Sequence, residues 1–200
     1  EQMHLAWEYD VRQIWIVNVG DIKPMEFPIS FFLDYAWNPE RIQANDLQRY
    51  TEQWAGKQFG PTHAKAIAEI ISKYTKYNGR RKPELLDANT YSLLHYDEAN
   101  RVTNEWKELV QKAAAINQQI PEVYKDAYFQ LVLHPVIACA NLQEMYTAVA
   151  KNRFEASERS LAANQYAGQV NALYANDSII TARYHALNNG KWNHMMDQTH

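Results

Sequence analysis

The residue types that can do chemistry gather in one short stretch, Asn18-Val19-Gly20-Asp21-Ile22-Lys23-Pro24-Met25-Glu26. Asp21, Lys23 and Glu26 place two carboxylates and an ammonium within a few positions. Such a set suits hydrolysis of a glycosidic bond, where one group protonates the leaving oxygen and another activates water. A lysine there would also offset the charge of an acidic sugar, and the Asn18 amide can hold a hydroxyl. The same residues admit a plainer reading, in which Asp21 caps a turn while Lys23 and Glu26 pair at the surface.

The elements that must carry this stretch change character along the chain. Residues 1–9 read as the last turns of a helix. The run Ile14-Trp15-Ile16-Val17-Asn18-Val19 is β-branched and aromatic, as expected of a strand buried on both faces of a parallel sheet or barrel. Gly20-Asp21 ends it. Helix, strand and loop in that order follow the α/β rhythm, but only one such unit is present, and a lone strand has nothing to pair with. We therefore expect an internal piece of a longer protein.

After that the pattern is helical throughout. Pro28 sits as a first-turn proline for residues 29–37, which Asn38-Pro39 close. Asn45 or Asp46 caps a helix that runs to Phe59 and stops at Gly60. Pro61-Thr62 opens the next, with Ala64, Ile67, Ala68, Ile71 and Tyr74 on one face, and Asn78-Gly79 closes it. A polar loop over residues 80–90 precedes long helices over 96–119 and 121–159, the second kinked by Pro135. Segments 161–174 and 177–187 complete the set, with Asp177-Ser178 as an N-cap and Asn188-Asn189-Gly190 as a C-cap. Short connections favour a helical bundle.

Composition narrows the function. With 20 Lys and Arg against 23 Asp and Glu, the net charge is -3, which lacks the electrostatic footprint of a nucleic-acid binder. The basic cluster Arg80-Arg81-Lys82 reads as a solvated loop. No apolar run nears the roughly 18 residues that span a bilayer, so neither nucleic acid nor membrane is an expected partner. Cys139 lies in an apolar run and reads as a small buried hydrophobe. His63, His95, His134 and His185 read as packing residues. Tyr74, Tyr77, Tyr91 and Tyr96 flank the Arg80 loop and form either a sugar platform or core and rim. The tail Trp192-Asn193-His194-Met195-Met196-Asp197-Gln198-Thr199-His200 has the residues for a metal site at His194, Asp197 and His200. It reads better as an aromatic docking segment, and no metal or cofactor is expected.

Four blocks carry a resemblance. The run Arg12-Gln13-Ile14-Trp15-Ile16-Val17-Asn18-Val19-Gly20-Asp21-Ile22-Lys23-Pro24-Met25-Glu26-Phe27-Pro28 resembles glycoside hydrolase family 115. So do Phe32-Leu33-Asp34-Tyr35-Ala36-Trp37-Asn38-Pro39, Lys76-Tyr77-Asn78-Gly79-Arg80-Arg81-Lys82-Pro83-Glu84 and the tail from Lys191. The resemblance implies a xylan α-1,2-glucuronidase that releases (4-O-methyl)glucuronic acid from glucuronoxylan or aldouronic acid oligosaccharides with inversion. It implies residues 1–39 as the end of a catalytic (β/α)8 barrel and residues 40–200 as a helical bundle domain. The fold class is then mainly α, a bundle preceded by the last strand and βα loop of a truncated barrel. Glu26 is implied as the catalytic carboxylate with Asp21 beside it, orienting the contacts, and Lys23 and Asn18 as the residues that touch the uronate or sugar hydroxyls. The rest of the polypeptide, a possible homodimer and a periplasmic or secreted location follow from the same resemblance. The isolated chain is expected to be inactive. The alternative is a non-catalytic helical module that docks partner domains or carbohydrate.

Overall fold

The computed structural model describes residues 1–20 and 22–197. Among the described residues, eight α-helices of seven residues or more carry the fold: α1 Gln2–Glu8, α2 Glu26–Trp37, α3 Leu47–Phe59, α4 Ala64–Arg80, α5 Glu98–Gln119, α6 Glu122–Tyr128, α7 His134–Ser157 and α8 Ala162–His185. A π-helical turn, Phe129–Leu133, joins α6 to α7 without a break. Helices α3, α4, α5, α7 and α8 pack as neighbours in a bundle, as the short connections suggest.

Local signals set several of these boundaries. Gly60 stops α3 with φ of +82°, and a Cβ there would meet the Tyr124 ring at 3.4 Å. A side chain at that angle is strained, so glycine is the natural residue. Pro28 is the third residue of α2, where its missing N–H is one of the unpaired donors of a first turn. Asn188, Asn189 and Gly190 all adopt left-handed backbone, with φ of 49°, 57° and 79°, and turn the chain away after α8.

Helix α5 shows how the core forms. Val102, Trp106, Leu109, Ala113 and Ile116 recur at helical spacing and are all buried, a stripe facing the bundle. They meet Trp54 and Phe59 from α3, Ile67 and Ile71 from α4, Tyr128 and Val132 from the α6–π segment, and Tyr184 from α8.

Three expectations need correction. Residues 11–19 carry no regular structure, and no strand occurs among the described residues. Ile14 and Ile16 are 74% and 91% exposed. A strand is held by cross-strand hydrogen bonds, and this chain offers no neighbour to make them. Trp15 ties the segment to α2, stacked on Tyr35 at 6.0 Å and tilted against Phe32 at 6.3 Å. Second, Asp177 and Ser178 do not start a helix; α8 runs through them. The reason is tertiary: Asn141 of α7 donates to the Leu173 carbonyl at 3.0 Å and accepts from the Asn176 amide at 2.8 Å. Those bonds hold α8 in one piece across the expected break. Third, Pro135 widens its helix into a π turn, because a proline lacks the N–H and crowds the preceding carbonyls. The His134 N–H donates to the Phe129 carbonyl five residues back.

Candidate functional site

Glu26 is the first residue of α2, where a carboxylate faces the positive end of the helix dipole. Aromatic contacts seat this end of α2 on α3. Phe27 meets Trp54 edge-on at 5.0 Å, Phe31 meets Tyr50 at 5.2 Å, and the Tyr50 hydroxyl donates to Asp34 at 2.7 Å.

Lys23 lies beside Glu26, and its side chain is only 12% exposed. Its ammonium donates to Glu26 Oε1 and, at 2.9 Å, to Gln130 Oε1 of the π turn. It also lies 4.2 Å above the centre of the Trp192 ring, a cation–π contact. Three N–H donors therefore face two carbonyl-type oxygens and one aromatic face. Glu26 Oε2, by contrast, is buried with no hydrogen-bond partner among the described residues. One carboxylate oxygen is fixed by Lys23, and the other is enclosed without a partner among the described residues.

Two further buried polar atoms without a partner among the described residues, His134 Nδ1 and the Tyr184 hydroxyl, lie on helices beside this site. His134 follows Gln130 by about one turn, and its ring is 4.7 Å from that of Tyr184. An unpaired buried polar group costs about 1–3 kcal/mol, so their clustering marks this region as built for more than packing. Burial pushes the Tyr184 hydroxyl pKa well up, helped by the Glu26 charge.

The His134 imidazole is pushed down to about 4 by burial, then by the His185 and Arg183 charges. An unfolded chain binds this proton near 6.5, so between those values the unfolded state takes up a proton that the folded state refuses. Stability is expected to be full above pH 6.5 and to fall by about 3 kcal/mol as pH drops to 4. Urea unfolding of wild type and His134→Phe across that range checks this: the variant should lose that share of the slope. Equal slopes would mean that His134 titrates alike in both states.

Other expected site residues fare differently. Asn18 uses its side-chain oxygen to accept from the Gly20 N–H at 2.9 Å, an Asx turn that shapes the loop, and it makes no hydrogen bond to Lys23 or Glu26. Asp21 lies outside the described residues, as do Gln198, Thr199 and His200. Tyr74 and Tyr77 pack edge-on against Trp106 while Tyr96 is 93% exposed, so the tyrosines split between core and rim and form no platform. Arg80 pairs with Glu105, and Arg81 donates to the Leu85 carbonyl. Burial raises the Cys139 thiol pKa, which fits an inert core thiol.

At the far end of α8, His185 accepts from the Met196 N–H at 3.1 Å and approaches Asp197 at 3.6 Å, while His194 bonds Asp197. His185, Met196 and Asp197 border an open cleft of about 380 Å³ that Asp177, Ser178 and Thr181 also line. No group of three metal-ligating side chains occurs among the described residues.

Sequence reasoning missed Gln130; it read His134 as a packing residue, and the ring does pack on Phe129 and Tyr184, with Nδ1 unpaired among the described residues. Pro135 was the available signal. A proline inside a helix forces a local rearrangement, and π turns are often functional.

Residues 1–85 match the family model described as Glycosyl hydrolase family 115. The fold is similar to a solved structure described as a novel family GH115 4-O-methyl-alpha-glucuronidase, BtGH115A, with specificity for decorated arabinogalactans, at a TM-score of 0.84 and 27% sequence identity. That likeness covers 98% of this chain and 26% of that one, so this chain spans about a quarter of its solved relative. No curated relative matches in sequence.

Proposed function

We propose that this chain is a segment of a glycosyl hydrolase family 115 protein and that in the parent enzyme it supplies one wall of an α-glucuronidase active site. The observation that carries the reading is the half-engaged carboxylate: Lys23 holds Glu26 Oε1, and Oε2 is buried without a partner among the described residues. In inverting hydrolysis one carboxyl gives its proton to the leaving oxygen as the C1–O bond breaks. The other takes a proton from the water whose oxygen bonds to C1. Glu26 Oε2 is the atom for one of these transfers. The second carboxyl must sit about 6.5–9.5 Å away to leave room for the water, and either Asp21 or the rest of the parent supplies it. The Lys23 ammonium offsets the charge of the uronate. Asn18 reaches a sugar hydroxyl only by giving up its turn.

The substrate is a glycan carrying (4-O-methyl)glucuronic acid. Glucuronoxylan and aldouronic acid oligosaccharides come first, and the arabinogalactan specificity of the similar enzyme puts that polymer second. Residues 1–39 form the end of the catalytic barrel in this reading, and residues 40–200 the bundle. Exposed apolar side chains support the division. Ile14, Ile16, Val17 and Trp37 are 74%, 91%, 48% and 91% exposed, a surface that the remaining barrel would cover. A homodimer, and a periplasmic or extracellular location, follow from the same family reading. Among the described residues no helix is long and apolar enough to cross a membrane.

Product analysis of the parent protein and of the 200-residue chain on glucuronoxylan, aldouronic acids and arabinogalactan tests this. The parent should release glucuronic acid, first as the β-anomer by proton NMR, and the chain alone should release none. A parent inactive on all three sinks the glucuronidase reading. Release by the chain alone refutes its dependence on the missing barrel.

A further inference from the structure

We propose that Gln130, on the π turn of the bundle, is the positioning residue that fixes the Lys23 ammonium against Glu26. The proposal rests on the reading of Glu26 as a catalytic carboxylate. Gln130 is 4% exposed and stands 107 positions from Lys23 in sequence, yet its side-chain oxygen accepts from the ammonium at 2.9 Å. An ammonium only donates, so the amide oxygen must face it and the amide orientation is set.

The chemistry favours glutamine here. Lysine carries its charge on a flexible four-carbon stem, and ordering that stem costs rotamer entropy. Two acceptors at an angle, Glu26 Oε1 and Gln130 Oε1, fix the nitrogen where one would let it swing. The Trp192 ring closes the remaining side at 4.2 Å. Gln130 adds its acceptor without adding a charge. A third ionisable group at this point would compete with Glu26 for the lysine, and a hydrocarbon would leave a buried N–H unpaired. The π turn gives this residue its direction. The bond from the His134 N–H to the Phe129 carbonyl widens the helix at Phe129–Leu133, so Gln130 departs from the α-helical register just before Pro135. By this route the bundle reaches into the loop that carries the chemistry.

Because the ammonium's three donors face protein groups, Gln130 acts on the chemical step through Glu26 and not on sugar binding. In the complete parent enzyme, Gln130→Met keeps the length and removes the acceptor. We expect kcat to fall about thirtyfold, the worth of one hydrogen bond to a charged group, with KM changed by less than about threefold and a modest fall in melting temperature from the buried N–H left unpaired. Gln130→Glu keeps an acceptor but sets a second carboxylate at the ammonium. The limb of its pH–rate profile that reports Glu26 (the acid limb for a general base, the basic limb for a general acid) should move to higher pH, since neighbouring carboxylates oppose each other's ionisation, a change that a purely structural residue does not make. Glu26→Gln is the reference. If it is inactive while Gln130→Met turns over normally, or if Gln130→Met raises KM alone, the positioning role is overturned and the Glu26 reading stands. Should Gln130→Met fail to fold, the Gln130→Glu profile decides, and a profile unmoved on both limbs overturns the role. A fully active Glu26→Gln overturns the site itself and the role of Gln130 with it.

Discussion

Glu26→Gln in the parent enzyme is expected to lower turnover of aldouronic acid oligosaccharides by about a thousandfold or more, about 4 kcal/mol of barrier. The amide leaves the architecture in place, because its carbonyl oxygen can still accept from Lys23 as Glu26 Oε1 does now. What it removes is the capacity of the second oxygen to take or give a proton. Oε2 is the atom of this carboxylate that is buried and without a partner among the described residues. The variant should therefore fold, by circular dichroism and melting temperature, and fail at the chemical step. Near-normal turnover would return the Lys23–Glu26 pair to a structural role and leave only the likeness to family 115.

The second large effect is on stability. Trp54→Ala is expected to cost about 3–5 kcal/mol, the usual range for deleting a buried aromatic. Trp54 is 7% exposed and meets Phe27 at 5.0 Å and Phe59 at 5.8 Å, both edge-on. Phe27 is the neighbour of Glu26, so the indole joins the bundle core to the start of α2. Losing it opens a cavity and also frees the residue next to the candidate carboxylate. Urea unfolding of the 200-residue chain should show the drop in midpoint with little change in slope. A loss under about 1 kcal/mol would mean that the site relaxes into the space and that α2 is seated by other contacts.

Local rules carried the helical half of the fold well, and particular residues show why. Gly60 and the Asn188-Asn189-Gly190 turn were legible because left-handed backbone has few tolerant residue types. Pro28 was legible because φ and the missing N–H restrict where it can go. Asp177-Ser178 misled because a capping preference of about 1 kcal/mol competes with tertiary bonds, here those of Asn141 to α8. Ile14 to Val19 misled for the opposite reason. Its residue types describe a buried strand, but pairing is a property of neighbours, and no partner strand occurs among the described residues.

The site was half legible. Lys23 and Glu26 are three apart, so their pairing could be read from spacing. Gln130, His134 and Tyr184 reach the same place from more than 100 positions away, and no local pattern encodes such a meeting. Asn18 was chosen for an amide that can hold a hydroxyl. The nearest donor, the Gly20 N–H, occupies it instead.

The most direct test is a crystal structure of the complete parent enzyme with glucuronic acid or an aldouronic acid bound. The account predicts the sugar's anomeric centre, or a water facing it, within hydrogen-bond reach of Glu26 Oε2, about 2.6–3.2 Å for the oxygen engaged. Lys23 should still be clasped between Glu26 and Gln130 in that complex. A sugar bound elsewhere in the parent, with Glu26 Oε2 facing only protein, would contradict it.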